Sequence, residues 1–369
     1  MRIVYLSGSV IPSRSANSVH VMKMCQAFSK QGHNVLLLVP DGPLCEVNQG
    51  NRYQFYGVEE CFEIKNLRWF GVRGAGYIYA LEAALCARRY GPDLVYGRFV
   101  PGCFFSAVLG LPVVYESHFP VRGHGRICEW MFRWLAGAGR LRRLVVVSQA
   151  LACFYERRYS LPKEWITVAH DGADEAVESG SFEIGDRRRF HVGYVGHLYA
   201  GRGIELIVEL AEKCRWADFH LVGGADEDVK MWRDRLKDVG NIKIHGFVPP
   251  CTTDMYRGAC DVLVAPYQRR VAVQGGGDTS EWMSPLKIFE YMAAGKPIVC
   301  SDLPVLCEVL AHEKTALLCR PDDPAEWVGA LERLRDDADL RMRLGERARG
   351  EYMAKYTWRA RAEEVLAGL

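Results

Sequence analysis

Lys287 and Glu290 stand three residues apart in the stretch Ser284-Pro285-Leu286-Lys287-Ile288-Phe289-Glu290-Tyr291-Met292-Ala293-Ala294-Gly295-Lys296-Pro297-Ile298-Val299, and their neighbours indicate what they could do. Pro285 fits the opening of a helix, where its fixed φ is suitable and its missing N–H is not needed. Gly295 suits the close of that helix, and Pro297-Ile298-Val299 begins a buried strand. A helix N-terminus with free amides can hold phosphate, here reached from Gly275-Gly276-Gly277-Asp278 and carrying Lys287 in its first turn. The spacing places Glu290 on the face of Lys287, so a carboxylate can meet the same ligand. An ordinary surface pair, worth about a few tenths of a kcal/mol, is the competing account.

A second basic group lies in Gly196-His197-Leu198-Tyr199-Ala200-Gly201-Arg202-Gly203. Glycines at such a turn let the chain bend toward a ligand, and Arg202 projects a planar fork that matches diphosphate oxygens. A tight turn with a solvated arginine would explain the same residues. Arg202 and Lys287 together would bring two cations to a leaving group of about two negative charges, stabilising charge that develops in a transition state. His118, in Tyr115-Glu116-Ser117-His118, falls where a strand should end, a place where functional residues collect in open α/β sheets. A lone histidine is also commonly structural, and the strand could turn Glu116 away from any site. Between Arg122 and Arg143 six arginines accompany one acid, Glu129, with Trp130, Phe132 and Trp134 interleaved. Such a segment suits an anionic membrane surface; a core-facing helix with a solvated basic face is the equal alternative.

The run from Ser284 to Val299 resembles the donor-binding helix of retaining glycosyltransferases with the GT-B fold, especially family 4 (glycosyl transferases group 1). The resemblance implies an α/β chain of two Rossmann-like, doubly wound domains facing across a cleft. It also implies transfer of a sugar from a UDP- or GDP-sugar to a hydroxyl of a glycan or lipid-linked acceptor, with no metal and no other cofactor. By the same resemblance His118, Arg202 and Lys287 form the catalytic set, His118 beside the sugar and the two cations on the diphosphate. Gly196, His197, Gly201, Val248, Pro285, Leu286 and Glu290 match donor-binding positions, Glu290 at the ribose hydroxyls and Val248 in the turn His245–Pro249 whose backbone reads the base. Ser9, Arg14 and Asn17, in the loop after the first strand, match the acceptor side. His170-Asp171-Gly172-Ala173-Asp174 resembles the turn that ends the first domain. His197 stands where many members carry Arg, so its charge depends on pH. The chain departs from the family at Trp282, where the first of two glutamates separated by seven residues is usual. Asp278, Glu281 or amides near Met283–Leu286 are the candidates to replace it. Two other readings stay open: a nucleotide-sugar epimerase on the same fold, and an inactive nucleotide-binding partner subunit, which Trp282 suggests.

These groups need elements to position them. Strand signals alternate with helical ones along the chain, which implies parallel sheets with crossover helices. Strands are expected near Ile3–Ser7, Asn34–Val39, Leu94–Tyr96, Val113–Glu116 and Leu144–Val147, and again near His191–Val195, Phe219–Val222, Ile242–His245, Val262–Ala265, Pro297–Cys300 and Ala316–Cys319. The expected domains are 1–175 for the acceptor, a polar linker over 176–189, 190–350 for the nucleotide sugar, and a final helix over 351–369 that crosses back to the first. Ser7-Gly8-Ser9-Val10-Ile11-Pro12 is not the glycine pattern of a dinucleotide-binding turn, so a nicotinamide enzyme is disfavoured.

A length of 369 residues suits two domains, and a net charge of +2 gives no drive toward nucleic acid. Residues 1–190 nevertheless hold 23 Lys and Arg against 17 Asp and Glu, which suits an anionic partner for that half. The 13 cysteines form no Cys-x-x-Cys pair, arguing for free thiols in a reducing cytosol. Met1 leads directly into a strand without signal-peptide design. The expectation is a cytoplasmic protein, peripheral on the inner face of the plasma membrane if residues 122–143 bind lipid.

Overall fold

The computed structural model describes residues 1–41, 51–176, 182–272 and 277–369. Contacts divide the chain into two units, Met1–Asp171 with Trp358–Leu369, and Gly172–Thr357. Helical crossovers between successive strands favour parallel pairing, and every pairing between named strands is parallel.

Among the described residues of the first unit, the strands are β1 (Arg2–Leu6), β2 (Asn34–Asp41), β3 (Glu63–Arg68), β4 (Leu94–Gly97), β5 (Val113–Ser117), β6 (Leu141–Val146) and β7 (Ile166–Val168). Their spatial order is β3-β2-β1-β4-β5-β6-β7. The inner strands are buried on both faces, as the apolar runs Ile3–Leu6 and Val35–Val39 require. Register is fixed at the centre by Ile3, which pairs with Val35 on one side and Leu94 on the other. The last helix, Trp358–Leu366, is part of this unit and buries Trp358, Arg361, Ala362 and Val365.

The second unit carries β8 (Phe190–Val195), β9 (Ala217–Val222), β10 (Ile242–Gly246), β11 (Val262–Ala265), β12 (Ile298–Ser301) and β13 (Leu317–Cys319), in the order β10-β9-β8-β11-β12-β13. One face of its sheet packs on Leu210, Trp232, Trp327, Leu331 and Leu344. The other packs on Ile288, Phe289, Met292, Leu306 and Tyr352. In both sheets the strand order reverses at one point, between β1 and β4 and between β8 and β11. Loops leaving the carboxyl ends of the strands diverge there, which opens a place for ligands.

Several features differ from the sequence expectations. β3 and β7 have no counterpart among the expected strands: both are edges, β3 exposing most of its side chains and β7 holding three half-buried residues. Neither shows the apolar pattern on which strand recognition depends. The unit boundary falls after Asp171, ahead of residue 175, because Ala173 is stitched to the end of the second unit. Its N–H donates to the Tyr356 carbonyl at 3.1 Å, and its carbonyl accepts from the Tyr352 hydroxyl at 3.1 Å. The helix Ala338–Lys355 likewise carries this unit past residue 350. In the segment expected as a linker, Phe182 and Ile184 pack on the core of the second unit, and residues 177–181 lie outside the described residues. No helix among the described residues is long and apolar enough to cross a membrane.

Candidate functional site

At the strand-order reversal of the second unit, the loop after β8 is sewn to the loop after β11. Gln268 N–H donates to the Gly201 carbonyl at 2.9 Å and Ala272 N–H to the Ala200 carbonyl at 3.3 Å. Gly201 has φ +80°, and a Cβ there would lie 2.0 Å from the Arg270 carbonyl oxygen, so packing between the loops sets this position. Gly196 makes room for a ligand group of the protein itself: a Cβ on it would stand 2.7 Å from Lys287 Nζ.

Lys287 and Arg202 meet here around Tyr267. The Lys287 ammonium lies 3.7 Å from the centroid of the Tyr194 ring and 5.1 Å from that of Tyr267, and the Arg202 guanidinium carbon lies 5.3 Å from the same Tyr267 ring. Lys287 is only 8% exposed and its Nζ has no hydrogen-bond partner among the described residues. Burial first, and then Arg202, press its pKa well below the ordinary lysine range. His197, stacked on Tyr199 at 4.7 Å, is brought down to about 4 by burial, Arg202 and Lys287, so it is neutral near pH 7. Ring contacts to a cation are worth about 0.5–2 kcal/mol, whereas taking an ammonium out of water costs several. The cluster therefore carries an excess of buried positive character that an anion would relieve.

The helix expected from Pro285 begins one residue later, as Leu286–Ala293, with Pro285 in extended geometry as its N-cap. No side chain caps it, which leaves its first amides without a side-chain acceptor. Its apolar face buries Ile288, Phe289 and Met292, and this burial fixes the directions of Lys287 and Glu290. Gly295 follows the helix with φ +64°. Glu290 is not ion-paired with Lys287: its Oε2 accepts from Nη1 of Arg257 at 3.1 Å, a residue that carries no motif in the sequence. Of the glycine-rich run, Gly275 and Gly276 lie outside the described residues, as do residues 273 and 274. Asp278 Oδ1 accepts the N–H groups of Val271 and Ser280, each at 2.9 Å, so one oxygen of this candidate is spent on its own loop. Glu281 is exposed, and Trp282 N–H donates to the Thr279 carbonyl at 2.9 Å. Val248 is half-buried against the core, and the Gly246 carbonyl beside it accepts from Gly223 N–H at 2.7 Å.

The first unit holds a different ionic cluster at the end of β5. Glu116 is fully buried and central, so the strand does not turn it to solvent. It accepts from Arg361 Nη2 at 2.9 Å, lies 2.9 Å from His20 Nε2, and bonds His118 and the Tyr96 hydroxyl at short range. His20 reaches Asp171 with its other nitrogen at 2.8 Å. Burial pushes both carboxyls up, but Arg361 and His20 at Glu116, and His20 and His118 at Asp171, outweigh it. Glu116 ends well below the ordinary range and Asp171 at about 2. His118 is brought down to about 4 by burial and Arg98. Ser9 and Asn17 are joined by a 2.6 Å hydrogen bond from Asn17 Nδ2 to Ser9 Oγ, and Arg14 is half-buried in the same loop.

His20, Glu116, His118 and Asp171 offer ligand atoms within 4.8 Å of one another, close enough to surround an ion. The donor set is arranged otherwise: His20 spends its two nitrogens on different carboxylates, and the Arg361 guanidinium already neutralises Glu116. This geometry suits charge pairing better than a dication. Asp226 with Asp228, and Asp337 with Asp339, have the spacing of a metal-binding pair. Both pairs sit at helix N-termini, where carboxylates complement the helix dipole, and Asp337 caps Leu340 N–H at 2.8 Å.

On the helix Arg126–Gly137 the buried side chains are Cys128, Met131, Phe132 and Leu135. The opposite face leaves Ile127 56% and Trp130 57% exposed, with Trp134 beside them at 38%. Its outer face is thus apolar as well as basic.

Comparison with known proteins is consistent along the chain. A family model described as Glycosyltransferase Family 4 matches residues 18–177, and one described as Glycosyl transferases group 1 matches residues 189–337. The alpha-D-kanosaminyltransferase of Streptomyces kanamyceticus is 26% identical over 294 residues, covering 72% of this chain and 71% of that protein. The D-inositol 3-phosphate glycosyltransferase of Corynebacterium jeikeium is 27% identical over 53% of this chain, which spans 46% of its length. Among solved structures, Anabaena Alr3699/HepE in complex with UDP and glucose superposes with a TM-score of 0.76 at 16% identity, covering 100% of both chains.

Proposed function

Because the chain belongs to the group 1, family 4-like glycosyltransferases of the GT-B fold, we propose that it transfers a sugar from a UDP-sugar to a hydroxyl acceptor with retention and without a metal. One observation carries this reading: Lys287 is buried, has no hydrogen-bond partner among the described residues, and shares Tyr267 with Arg202 at the strand-order reversal of the second unit. A diphosphate would supply the missing counter-charge, and the two cations would favour it further as it departs. The departing phosphate oxygen can take the acceptor's proton, so no dedicated base is assigned. Glu290 is assigned to the ribose hydroxyls, and the resemblance assigns His118 to the transferred sugar. The UDP bound by the Anabaena protein supports uracil over guanine as the base. Calorimetric titration with UDP, and turnover of UDP-glucose with and without added acceptors, test the reading. Binding of UDP that Lys287→Ala leaves intact would refute it; conversion of the donor alone into an epimer would favour the epimerase reading instead.

A lipid-linked acceptor, with the protein peripheral on the cytoplasmic face of a membrane, is favoured by the exposed Ile127, Trp130 and Trp134 among the arginines of residues 122–143. Flotation with anionic and neutral liposomes at low salt checks it. Trp130→Ser with Trp134→Ser should abolish flotation, and failure of the unmodified protein to float with anionic vesicles removes the proposal.

A further inference from the structure

Arg257 lies on the helix Thr253–Gly258 with a side chain only 5% exposed, between two carboxylates. Its Nη1 donates to Glu290 Oε2 at 3.1 Å and its Nη2 to Asp254 Oδ1 at 2.6 Å. Burial works against the guanidinium's charge, and Glu290 and Asp254 together outweigh it. The two contacts leave the Glu290 carboxylate with one oxygen held from within the fold. The other, Oε1, makes no hydrogen bond among the described residues, while the side chain keeps 28% of its surface exposed. A planar fork bonded at both tips fixes direction in a way that a single ammonium cannot.

One cation shared by two carboxylates leaves the trio with a net negative charge, so the open oxygen can only accept hydrogen bonds. It suits hydroxyl donors and would repel phosphate. Lys287, about one helical turn earlier on the same face, has the opposite polarity. The helix Leu286–Ala293 therefore presents a donor-only end and an acceptor-only end in sequence, matching the phosphate and ribose ends of a nucleoside diphosphate.

We propose that Arg257 is a positioning residue of the donor site: anchored by Asp254, it holds Glu290 Oε2 inward so that Oε1 faces the two ribose hydroxyls. This rests on the assignment of Glu290 to the ribose made above. The test compares calorimetric affinities for UDP and 2′,3′-dideoxy-UDP in the unmodified protein and in Glu290→Gln, Arg257→Lys and Asp254→Asn. Hydrogen bonds to a charged acceptor predict a preference for UDP of about 10- to 100-fold in the unmodified protein. Glu290→Gln should bring that preference close to unity. Arg257→Lys should lower it at least about threefold while binding the dideoxy nucleotide as before, since lysine keeps the charge and loses the fork. A preference unchanged in Arg257→Lys, or equal weakening of both nucleotides, overturns the proposal. If Glu290→Gln keeps the full preference, the ribose assignment itself is wrong and the positioning role falls with it. Should Arg257→Lys fail to fold, the more exposed Asp254→Asn decides: a reduced preference supports the anchor, and an unchanged one overturns it.

Discussion

Each unit buries a group of charges, and the two groups are built on opposite plans. In the first, Glu116 and Asp171 are met by Arg361, His20 and His118, through hydrogen bonds and a 2.9 Å contact between His20 Nε2 and Glu116. In the second, Lys287 and Arg202 lie against tyrosine rings, and no acid pairs with Lys287 among the described residues. Two buried ionic sites of similar size can thus serve different ends. A complete network defines structure, because every member loses if one leaves. An incomplete one stores a demand for an outside partner, which is the physical meaning of a binding site.

The sharpest way to break this contrast is to remove one cation from each group. Arg361→Met should cost the first unit about 3–5 kcal/mol in urea unfolding, because Glu116 would remain buried and uncompensated. Adding Glu116→Gln should recover most of that loss. Lys287→Met should lower turnover of the donor by about 10²–10³-fold, the scale of a lost transition-state contact, with the melting temperature unchanged or raised. A large loss of stability in Lys287→Met would show that its group is also structural and erase the distinction.

Acid sharpens the contrast from the other side. His118 has its pKa lowered from the ordinary 6.5 to about 4, and Asp171 from 3.8 to about 2. In each case the unfolded chain takes up the proton first. Stability of the first unit should therefore fall as pH drops from 6.5 toward 4 through His118, and again from 3.8 toward 2 through Asp171. The slope is at most about 1.4 kcal/mol per pH unit for each group. His118→Gln should lessen the upper part of the decline, the remainder coming from His33 and His124, whose pKa values burial also lowers, as measured by urea unfolding at successive pH values. The smallest effect is a fraction of one proton. Lys287 has a depressed pKa before binding, and a diphosphate would raise it, so binding should take up a proton and affinity should fall as pH rises past the depressed value. Calorimetry of UDP binding in buffers of different ionisation heat measures this uptake, and Lys287→Met should abolish the part that lysine carries.

Much of the donor side was readable because its signals are local. Gly295 after the helix and the apolar face of Leu286–Ala293 are properties of neighbours in sequence, and the helix lies within one residue of its expected limits. The burial of Lys287 was not readable. It depends on Tyr194 and Tyr267, which come from β8 and from the loop after β11. Arg257 stands 33 residues before Glu290, with no local pattern that marks it, and only packing reveals that it is buried. His20 escaped notice for the same reason: a histidine amid small and apolar residues near the start of a helix gives no sign of two carboxylates waiting in space. The edge strands β3 and β7 were missed because an edge carries little of the apolar alternation that marks a strand.

The pairing of Arg361 with Glu116 joins residues 245 positions apart. During synthesis at about 5–20 residues per second, Glu116 is added to the chain roughly 12–50 s before Arg361 is. In that interval residues 172–357, the second unit, are made while Glu116 lacks this partner. A carboxylate made with the first sheet is thus matched by a helix, Trp358–Leu366, that is made only after the whole of the second unit.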